Sequence, residues 1–119
     1  MNIEKYREFC LSFKGVTEDM PFDDKVLVFK VMGKMFALTD IDEFESVNLK
    51  CDPAKAVELR EKYESVKPGY HMNKKHWNTI LTDGELTDQQ LEHWIRHSYE
   101  LVVSKMPKKL REELNQLDG

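Results

Sequence analysis

Two apolar runs that meet at a glycine, KVLVFKVM (25–32) and MFALTDI (35–41), predict the first hairpin of a β-sheet. Both runs are rich in β-branched and aromatic residues and are too short for a helix. The first run is apolar on both faces, so we expect that strand to be covered on both sides. Gly33-Lys34 between the runs predicts a type II′ turn, because that turn favours Gly at its first central position.

Two further strands extend this sheet. SVNLKC (46–51) alternates strictly between polar and apolar residues, which is typical of a strand with one exposed face. WNTILT (77–82) predicts a fourth strand, which ends at Asp83-Gly84. The close spacing of the first three strands predicts an antiparallel meander.

Four helices are predicted where a capping signal precedes apolar residues at helical spacing. The first runs to about Lys14 and the second to about Tyr63. In the last helix, Leu110, Leu114 and Leu117 are expected to face the core. The signals that begin the four helices are Asn2, Asp52-Pro53, the capping box Thr87-x-x-Gln90 and Pro107.

The predicted element order is α-β-β-β-α-β-α-α. It indicates a two-layer α+β fold, with a largely antiparallel sheet of four or more strands and helices packed on one face. A length of 119 residues is usual for one domain, so residues 1–119 are expected to form a single domain. No apolar run approaches the ~18–20 residues that span a bilayer. MNIEKYREF (1–9) has no apolar signal core, so we expect a cytoplasmic protein without membrane contact.

Charge is segregated along the chain, although 18 basic and 22 acidic residues leave a net charge of only −4. TEDMPFDD (17–24), a predicted connector, and DIDEFE (40–45), a predicted loop, each carry four acidic residues and no basic one. VKPGYHMNKKHWNTILT (66–82) contains lysines, histidines and aromatic residues but no acid. SKMPKKLR (104–111) is also basic, but it is interleaved with core leucines and indicates a solvated helix face. A local field depends on such clustering more than on net charge.

The acid-free segment also carries a resemblance to a known family. PGYHMNKKHWNT (68–79), followed by a short strand, D-G, a capped helix and SYELV (98–102), resembles the MmcQ/YjbR family. FKVMGKMFAL (29–38) and VNLKCDPAKAVELR (47–60) are similar to that family too, so the likeness covers nearly the whole chain. The resemblance implies a compact fold like that of the CyaY/frataxin superfamily. It also implies DNA binding through a double wing arrangement, in which hairpins flank a helix, and it supplies no catalytic residue.

The same segment has the chemistry that nucleic-acid binding needs. Lysine neutralises phosphate, Asn and His donate hydrogen bonds to phosphate or base edges, and Tyr and Trp stack on exposed bases. We therefore predict that DNA is the partner and that one lysine of a neighbouring strand contributes to the interface. The predicted interface residues are Lys50, Lys67, Tyr70, His71, Asn73, Lys74, Lys75, His76, Trp77 and Asn78.

Structural explanations compete for these residues. Trp77 heads a predicted strand and favours the core, His71 and His76 can bond backbone groups, and Asn73 can cap a turn. A protein partner or a small anionic ligand is the alternative to DNA. A concave pocket at His71, His76 and Trp77 would favour the small ligand. The sequence leaves the oligomeric state open.

Signals for catalysis or cofactors are weak. Cys10 and Cys51 form no C-x-x-C pair and are expected to be buried. His93 and His97 have a spacing that can place two imidazoles on one metal, but Trp94 stands where the HExxH motif requires Glu. The acidic runs lack the spacing of a calcium loop, and neither a Ser–His–Asp signature nor a nucleotide-binding glycine loop is present. We therefore predict a non-enzymatic protein without a metal, a cofactor or catalytic residues.

Overall fold

The structure is a computed structural model that describes residues 1–70 and 72–117. Its helices are α1 (Ile3–Leu11), α2 (Pro53–Lys62), α3 (Asp88–Ser104) and α4 (Lys108–Gln116). Its strands are β1 (Val16–Asp19), β2 (Val26–Val31), β3 (Lys34–Asp40), β4 (Ser46–Lys50), β5 (Val66–Pro68) and β6 (Trp77–Leu81). These strands pair antiparallel in one sheet, in the order β1-β2-β3-β4-β6-β5. The predicted α+β class with a largely antiparallel sheet is confirmed.

Two strands of this sheet, β1 and β5, have no counterpart in the sequence prediction. Both are edge strands, since β1 pairs with β2 alone and β5 with β6 alone. Three of the four residues of β1 are exposed, and β5 has only three residues, one of which is Pro68. Charged residues and proline are tolerated at sheet edges. Such edges therefore lack the apolar alternation by which a strand is recognised in a sequence.

The β2–β3 hairpin forms as predicted, but its turn differs from the predicted one. Val31 pairs with Lys34, so the two-residue loop is Met32-Gly33. Both loop residues have positive φ, 50° for Met32 and 82° for Gly33, which is the pattern of a type I′ turn. The type II′ prediction at Gly33-Lys34 was wrong. A type I′ turn matches the right-handed twist of the strands, which favours it even with a methionine at positive φ.

Side-chain caps begin α1, α2 and α3 where the sequence predicts them, whereas α4 begins after Pro107 without a side-chain cap. The Asn2 side chain accepts a hydrogen bond from the backbone N–H of Lys5 at 2.9 Å, and Thr87 and Gln90 form the reciprocal capping box.

The ends of two helices differ from the prediction. The first helix ends at Leu11, earlier than the predicted end at about Lys14. Leu117, which was expected to face the core, is 42% exposed because α4 ends at Gln116 and the chain turns to an extended conformation there.

The main core lies between the four helices and one face of the sheet. Tyr6, Phe29, Phe36 and Ile95 are fully buried in it. Both cysteines are buried as predicted, and burial raises the pKa of the Cys51 thiol to about 11. Burial raises the pKa of the other thiol as well, so both are poor nucleophiles. In the described part of the chain, no helix has the length and apolar character that crossing a membrane requires.

A smaller apolar cluster lies on the opposite face of the sheet, and we call it the open-face cluster. It consists of the buried residues Val28, Leu38 and Trp77, with the half-buried Val26, Met35 and Met72 packed against them. None of these residues belongs to a helix. The predicted burial of β2 on both faces is confirmed, because Val28 is 0% exposed on this side while Phe29 is 0% exposed on the other.

Candidate ligand-binding site

The described part of the basic and aromatic segment folds as strand β5, a turn that includes residues 69, 70 and 72–76, and strand β6. The turn is closed by backbone bonds from Gly69 N–H to Trp77 O at 2.8 Å and from Trp77 N–H to Asn73 O at 3.0 Å. The Asn73 side chain accepts from the Lys75 N–H at 2.9 Å, so Asn73 caps the turn, which is one of the structural roles expected of it. A Cβ at Gly69 would lie 2.6 Å from Trp77 Cβ, so only glycine allows the turn to approach β6 this closely.

Two of the predicted interface residues are buried. Trp77 is 8% exposed and packs in the open-face cluster. Asn78 is 1% exposed, and its Nδ2 donates to the carbonyl of Ala56 in α2 at 3.3 Å, on the helix-covered side of the sheet. A nucleic acid on the surface cannot reach either side chain without disrupting the fold. We therefore leave both out of any interface.

A row of paired residues crosses the other face of the sheet. The strand register places Lys67 beside Thr79, Thr79 beside Asn48, and Asn48 beside Leu38. Paired residues of neighbouring strands point to the same side. The row therefore runs from a lysine through two hydrogen-bonding side chains to the apolar cluster.

This row lies in a depression of about 700 Å³, which we call the sheet depression. Its walls are apolar at Val26, Leu38, Pro68 and Leu81, and its polar groups include Thr39, Asn48 and Thr79. Three predicted interface residues lie at the same depression, namely Lys67, Tyr70 and Lys74. A concave apolar surface with a few placed polar groups is the usual form of a small-molecule site.

The polar groups of the sheet depression are fixed by hydrogen bonds. The Thr79 hydroxyl accepts from the backbone N–H of Tyr70 at 2.9 Å and donates to Asn48 Oδ1. These bonds attach the start of the turn to two central strands. The backbone of Tyr70 is therefore held in place, while the residue as a whole is 68% exposed at the edge of the depression.

The charge around the sheet depression is mixed. Asp40 lines it together with the two lysines, and the acidic loop 40–45 follows directly. In that loop, a hydrogen bond and repulsion from Glu45 raise the pKa of Glu43. Hydrogen bonding by Ser65, whose backbone N–H donates to Glu85 at 2.7 Å, lowers the pKa of Glu85, and Lys67 contributes further. The lysines of the segment therefore have carboxylates near them, although the segment itself contains none.

The remaining predicted residues do not all meet at this depression. Lys75 is exposed on the turn, and His76 is half-buried, with its backbone carbonyl accepting from Cys51 N–H at 2.8 Å. Lys50 lines a different depression, at the far end of β4. His71 lies outside the described residues, so the prediction for it stands as made.

One histidine of the predicted α3 pair, His97, makes a structural hydrogen bond. His97 Nε2 accepts a hydrogen bond from the backbone N–H of Asp52, the residue that caps α2, at 3.2 Å. Burial lowers the pKa of His97, with a smaller contribution from Lys55. Within residues 1–70 and 72–117, no group of three or more His, Cys, Asp or Glu side chains is arranged to hold a metal ion.

Sequence reasoning missed the floor of the sheet depression. Asn48 and Thr79 come from strands that are adjacent in space but 31 residues apart in sequence. The available signal was the alternation of 46–51, which leaves Asn48 on the exposed side of β4. Arg60 was missed as well. Its guanidinium donates to the carbonyl of Lys74 at 3.3 Å and so attaches α2 to the turn.

The fold and the site define a class of protein, an α+β chain whose antiparallel sheet has helices on one face and a ligand-sized depression on the other. Residues 11–101 match the family model described as YjbR. The chain is 32% identical over 118 residues to the Uncharacterized protein YjbR of Escherichia coli strain K12, which covers 98% of this chain and 100% of that one. It is 40% identical over 107 residues to the Uncharacterized protein YbdF of Escherichia coli O157:H7, covering 89% and 88%. The chain belongs to the YjbR family, as the resemblance indicated.

Solved structures share this fold. The crystal structure of Deinococcus radiodurans protein DR2400, described with the family-model domain DUF419, has a TM-score of 0.90 at 41% identity, covering 99% of this chain and 91% of that one. A crystal structure of a Pseudomonas syringae protein has a TM-score of 0.72 at 27% identity, covering 85% and 98%. The overall fold is therefore shared with proteins from two other bacteria.

Proposed function

We propose that this protein is a binding module for a small organic anion, which it holds in the sheet depression. The observation that carries the proposal is the composition of that depression, in which an apolar wall, a hydrogen-bonding pair and two lysines surround one volume of about 700 Å³. This volume lies in the usual range for small-molecule sites, about 300–1,000 Å³. The proposal assigns binding and no catalytic residue.

The arrangement suggests how such a ligand would lie. Its carboxylate or phosphate would pair with Lys67 and Lys74, and its apolar part would contact Leu38 and Leu81. An aromatic ring in the ligand would stack against Tyr70, whose own ring is largely exposed. Asn48 and Thr79 bond each other, so a ligand hydrogen bond at this point would use the remaining lone pairs or N–H of these side chains.

Single-stranded nucleic acid is the second candidate. It is favoured by the exposed ring of Tyr70 next to Lys67 and Lys74, because stacking combined with phosphate pairing is how single strands are bound. A duplex is less well suited. Asp40 and the acidic loop 40–45 border the same depression, and their charges repel a long row of phosphates.

Titrations of the full chain with two probe sets test the proposal. The first set is benzoate and nucleoside monophosphates, followed by NMR or calorimetry, and the second is labelled oligonucleotides, followed by fluorescence anisotropy. Each exposed ion pair is worth up to about 1 kcal/mol, or about fivefold in affinity, so Lys67→Gln with Lys74→Gln should weaken binding of a small anion by roughly 5- to 25-fold. The matched control is Lys5→Gln with Lys109→Gln, which removes the same charge from exposed positions away from the depression.

The possible results separate the candidates. Saturable binding of a small anion that the double variant weakens and the control does not would support the main proposal. Binding of oligonucleotides alone, with the same dependence on the two lysines, would replace it with the nucleic-acid function. Equal losses in both variants, or no binding of any probe at millimolar concentration, would reject both.

A further inference from the structure

A second depression lies where the β2–β3 turn, the end of β4 and the end of α3 meet. It has a volume of about 420 Å³ and shares no lining residue with the sheet depression. Lys34, Lys50 and Lys105 line it, one from each of these three elements, and we call it the lysine depression. Lys50 was predicted to act together with the 67–78 segment, but the fold places it here with two lysines that are distant in sequence.

Within residues 1–70 and 72–117, the three lysines form no ion pair. None of the described residues that line the lysine depression is acidic. Among residues 1–70 and 72–117, the cations that form ion pairs are the N-terminal amine, Arg7, Lys30 and Lys108. Three like charges around one volume repel each other, and a bound anion would relieve that repulsion. The concentration of positive charge is notable in a chain whose net charge is −4.

The fold holds the backbone of each lysine in place. The N–H of Lys50 donates to the hydroxyl of the fully buried Ser98 at 2.9 Å. The N–H of Lys105 donates to the carbonyl of Val102 at 3.2 Å at the end of α3. Lys34 begins β3 directly after the tight turn. Because the backbone is already fixed, anion binding would restrict only the lysine side chains, which lowers the entropic cost of binding.

Below the lysines the surface is apolar. Val102 and Met106 are each 5% exposed, and the half-buried Met35 packs against the open-face cluster. Charges next to such a surface are less screened than charges surrounded by water, so their attraction for an anion is stronger. The surface also leaves room for a short hydrocarbon part of a ligand.

We propose that the lysine depression binds a compact small-molecule polyanion that carries about three negative charges. Ammonium groups act as point charges that suit phosphate oxygens, and three of them match a diphosphate group or a tricarboxylate. The volume admits either ligand. This site is independent of the small anion proposed for the sheet depression, and it adds a second recognition element to the same chain.

Two charge-matched triple variants test this site. One carries Lys34→Gln, Lys50→Gln and Lys105→Gln. The other carries Lys5→Gln, Lys62→Gln and Lys109→Gln at exposed positions that line neither depression, so both lose three positive charges. The full chain and both variants are titrated calorimetrically with pyrophosphate and with citrate at low and moderate salt, after circular dichroism has shown that each variant is folded.

We expect saturable binding of pyrophosphate or citrate by the natural chain. The first triple variant should bind roughly 5- to 125-fold more weakly and the second less than about twofold, since each lost pair is worth up to about fivefold. A triple Lys→Arg variant at 34, 50 and 105 should retain most of the affinity, because it keeps the charge. A preference for pyrophosphate over citrate would identify the ligand as a diphosphate, and the reverse would identify a tricarboxylate.

Other results overturn the proposal. Equal losses in the two triple variants would mean that the anion responds to net charge and not to a site. The absence of saturable binding for both polyanions would also reject it. Benzoate and nucleoside monophosphates test binding at the sheet depression, whereas pyrophosphate and citrate test binding at the lysine depression. A negative result for one proposed site is therefore distinguishable from a negative result for the other.

Discussion

Ser98 divides the hydrogen-bond ladder between β3 and β4, and its removal should destabilise the protein in a measurable way. Its hydroxyl donates to the Phe36 carbonyl at 2.6 Å and accepts from the Lys50 N–H at 2.9 Å. Ala37 faces Leu49 in the register, so the next pair along would be Phe36 and Lys50. The serine of α3 thus stands between two backbone groups that would otherwise bond each other.

The cost of Ser98→Ala follows from the environment of these groups. Ser98 and Phe36 are each 0% exposed, so the carbonyl that loses its partner has no access to water. A buried polar group without a partner costs about 1–3 kcal/mol. The Phe36 carbonyl counts in full and the N–H of the half-buried Lys50 at the lower end of this range, about 1 kcal/mol. Less up to about 0.5 kcal/mol regained from the higher helix propensity of Ala, the expected loss in the free energy of unfolding is about 1.5–4 kcal/mol.

Equilibrium unfolding in urea measures this loss. The control is Ser104→Ala in the last turn of the same helix, where an exposed hydroxyl donates to the Leu101 carbonyl at 2.7 Å. That change should stay within about 0.5 kcal/mol, as for most surface substitutions. If Ser98→Ala cost no more than the control, the strands would have closed and bonded directly. The hydroxyl would then have no necessary role in the ladder.

Two further predictions concern other contacts of the fold. The folded-state pKa of His97 is lowered, so its contribution to stability is complete above its ordinary pKa of 6.5 and is lost as the pH falls through the lower pKa of the folded state. Unfolding measured between pH 7.5 and 5 should show a smaller loss in His97→Gln, which keeps an acceptor for the Asp52 N–H; identical pH profiles would contradict this. Gly15→Ala should destabilise the chain by about 1–3 kcal/mol, because φ is +74° and the new Cβ would lie 2.5 Å from Leu114 Cδ1. Gly84→Ala, with φ +94° but no atom within 4 Å, is the control for backbone strain alone, and equal melting temperatures for the two variants would remove the role of the clash.

Short sequence motifs correctly predicted those features that are held by hydrogen bonds between residues close together in the sequence. The capping box at Thr87 and the cap at Asn2 form as expected, since their hydrogen bonds join residues three apart. The alternation of 46–51 correctly placed one face of β4 in the core. Strands β1 and β5 were missed because their pairing is decided by the neighbouring strand, and their own residues are charged, few or proline.

The candidate sites were predicted only in part, for a related reason. A basic segment is visible as a run of letters, and it led to Lys67, Tyr70 and Lys74 at the sheet depression. Lys34 is a single lysine after a tight turn, and Lys105 belongs to the basic run 104–111, which we interpreted as a solvated helix face. Only the sheet register and the path of α3 bring both to Lys50. Sites that are assembled from distant elements leave no local pattern in a sequence.

Trp77 and Lys74 have different roles in the basic and aromatic segment, and this difference accounts for part of its mixed composition. Trp77 and Met72 pack on Val28 and Leu38, where no described helix covers the sheet. This apolar contact holds the turn against the open face, and Lys74, which follows Asn73, thereby lies at the edge of the sheet depression. A structural role for the tryptophan is therefore a condition of a binding role for the lysines. The two interpretations of the segment apply to different side chains and are compatible.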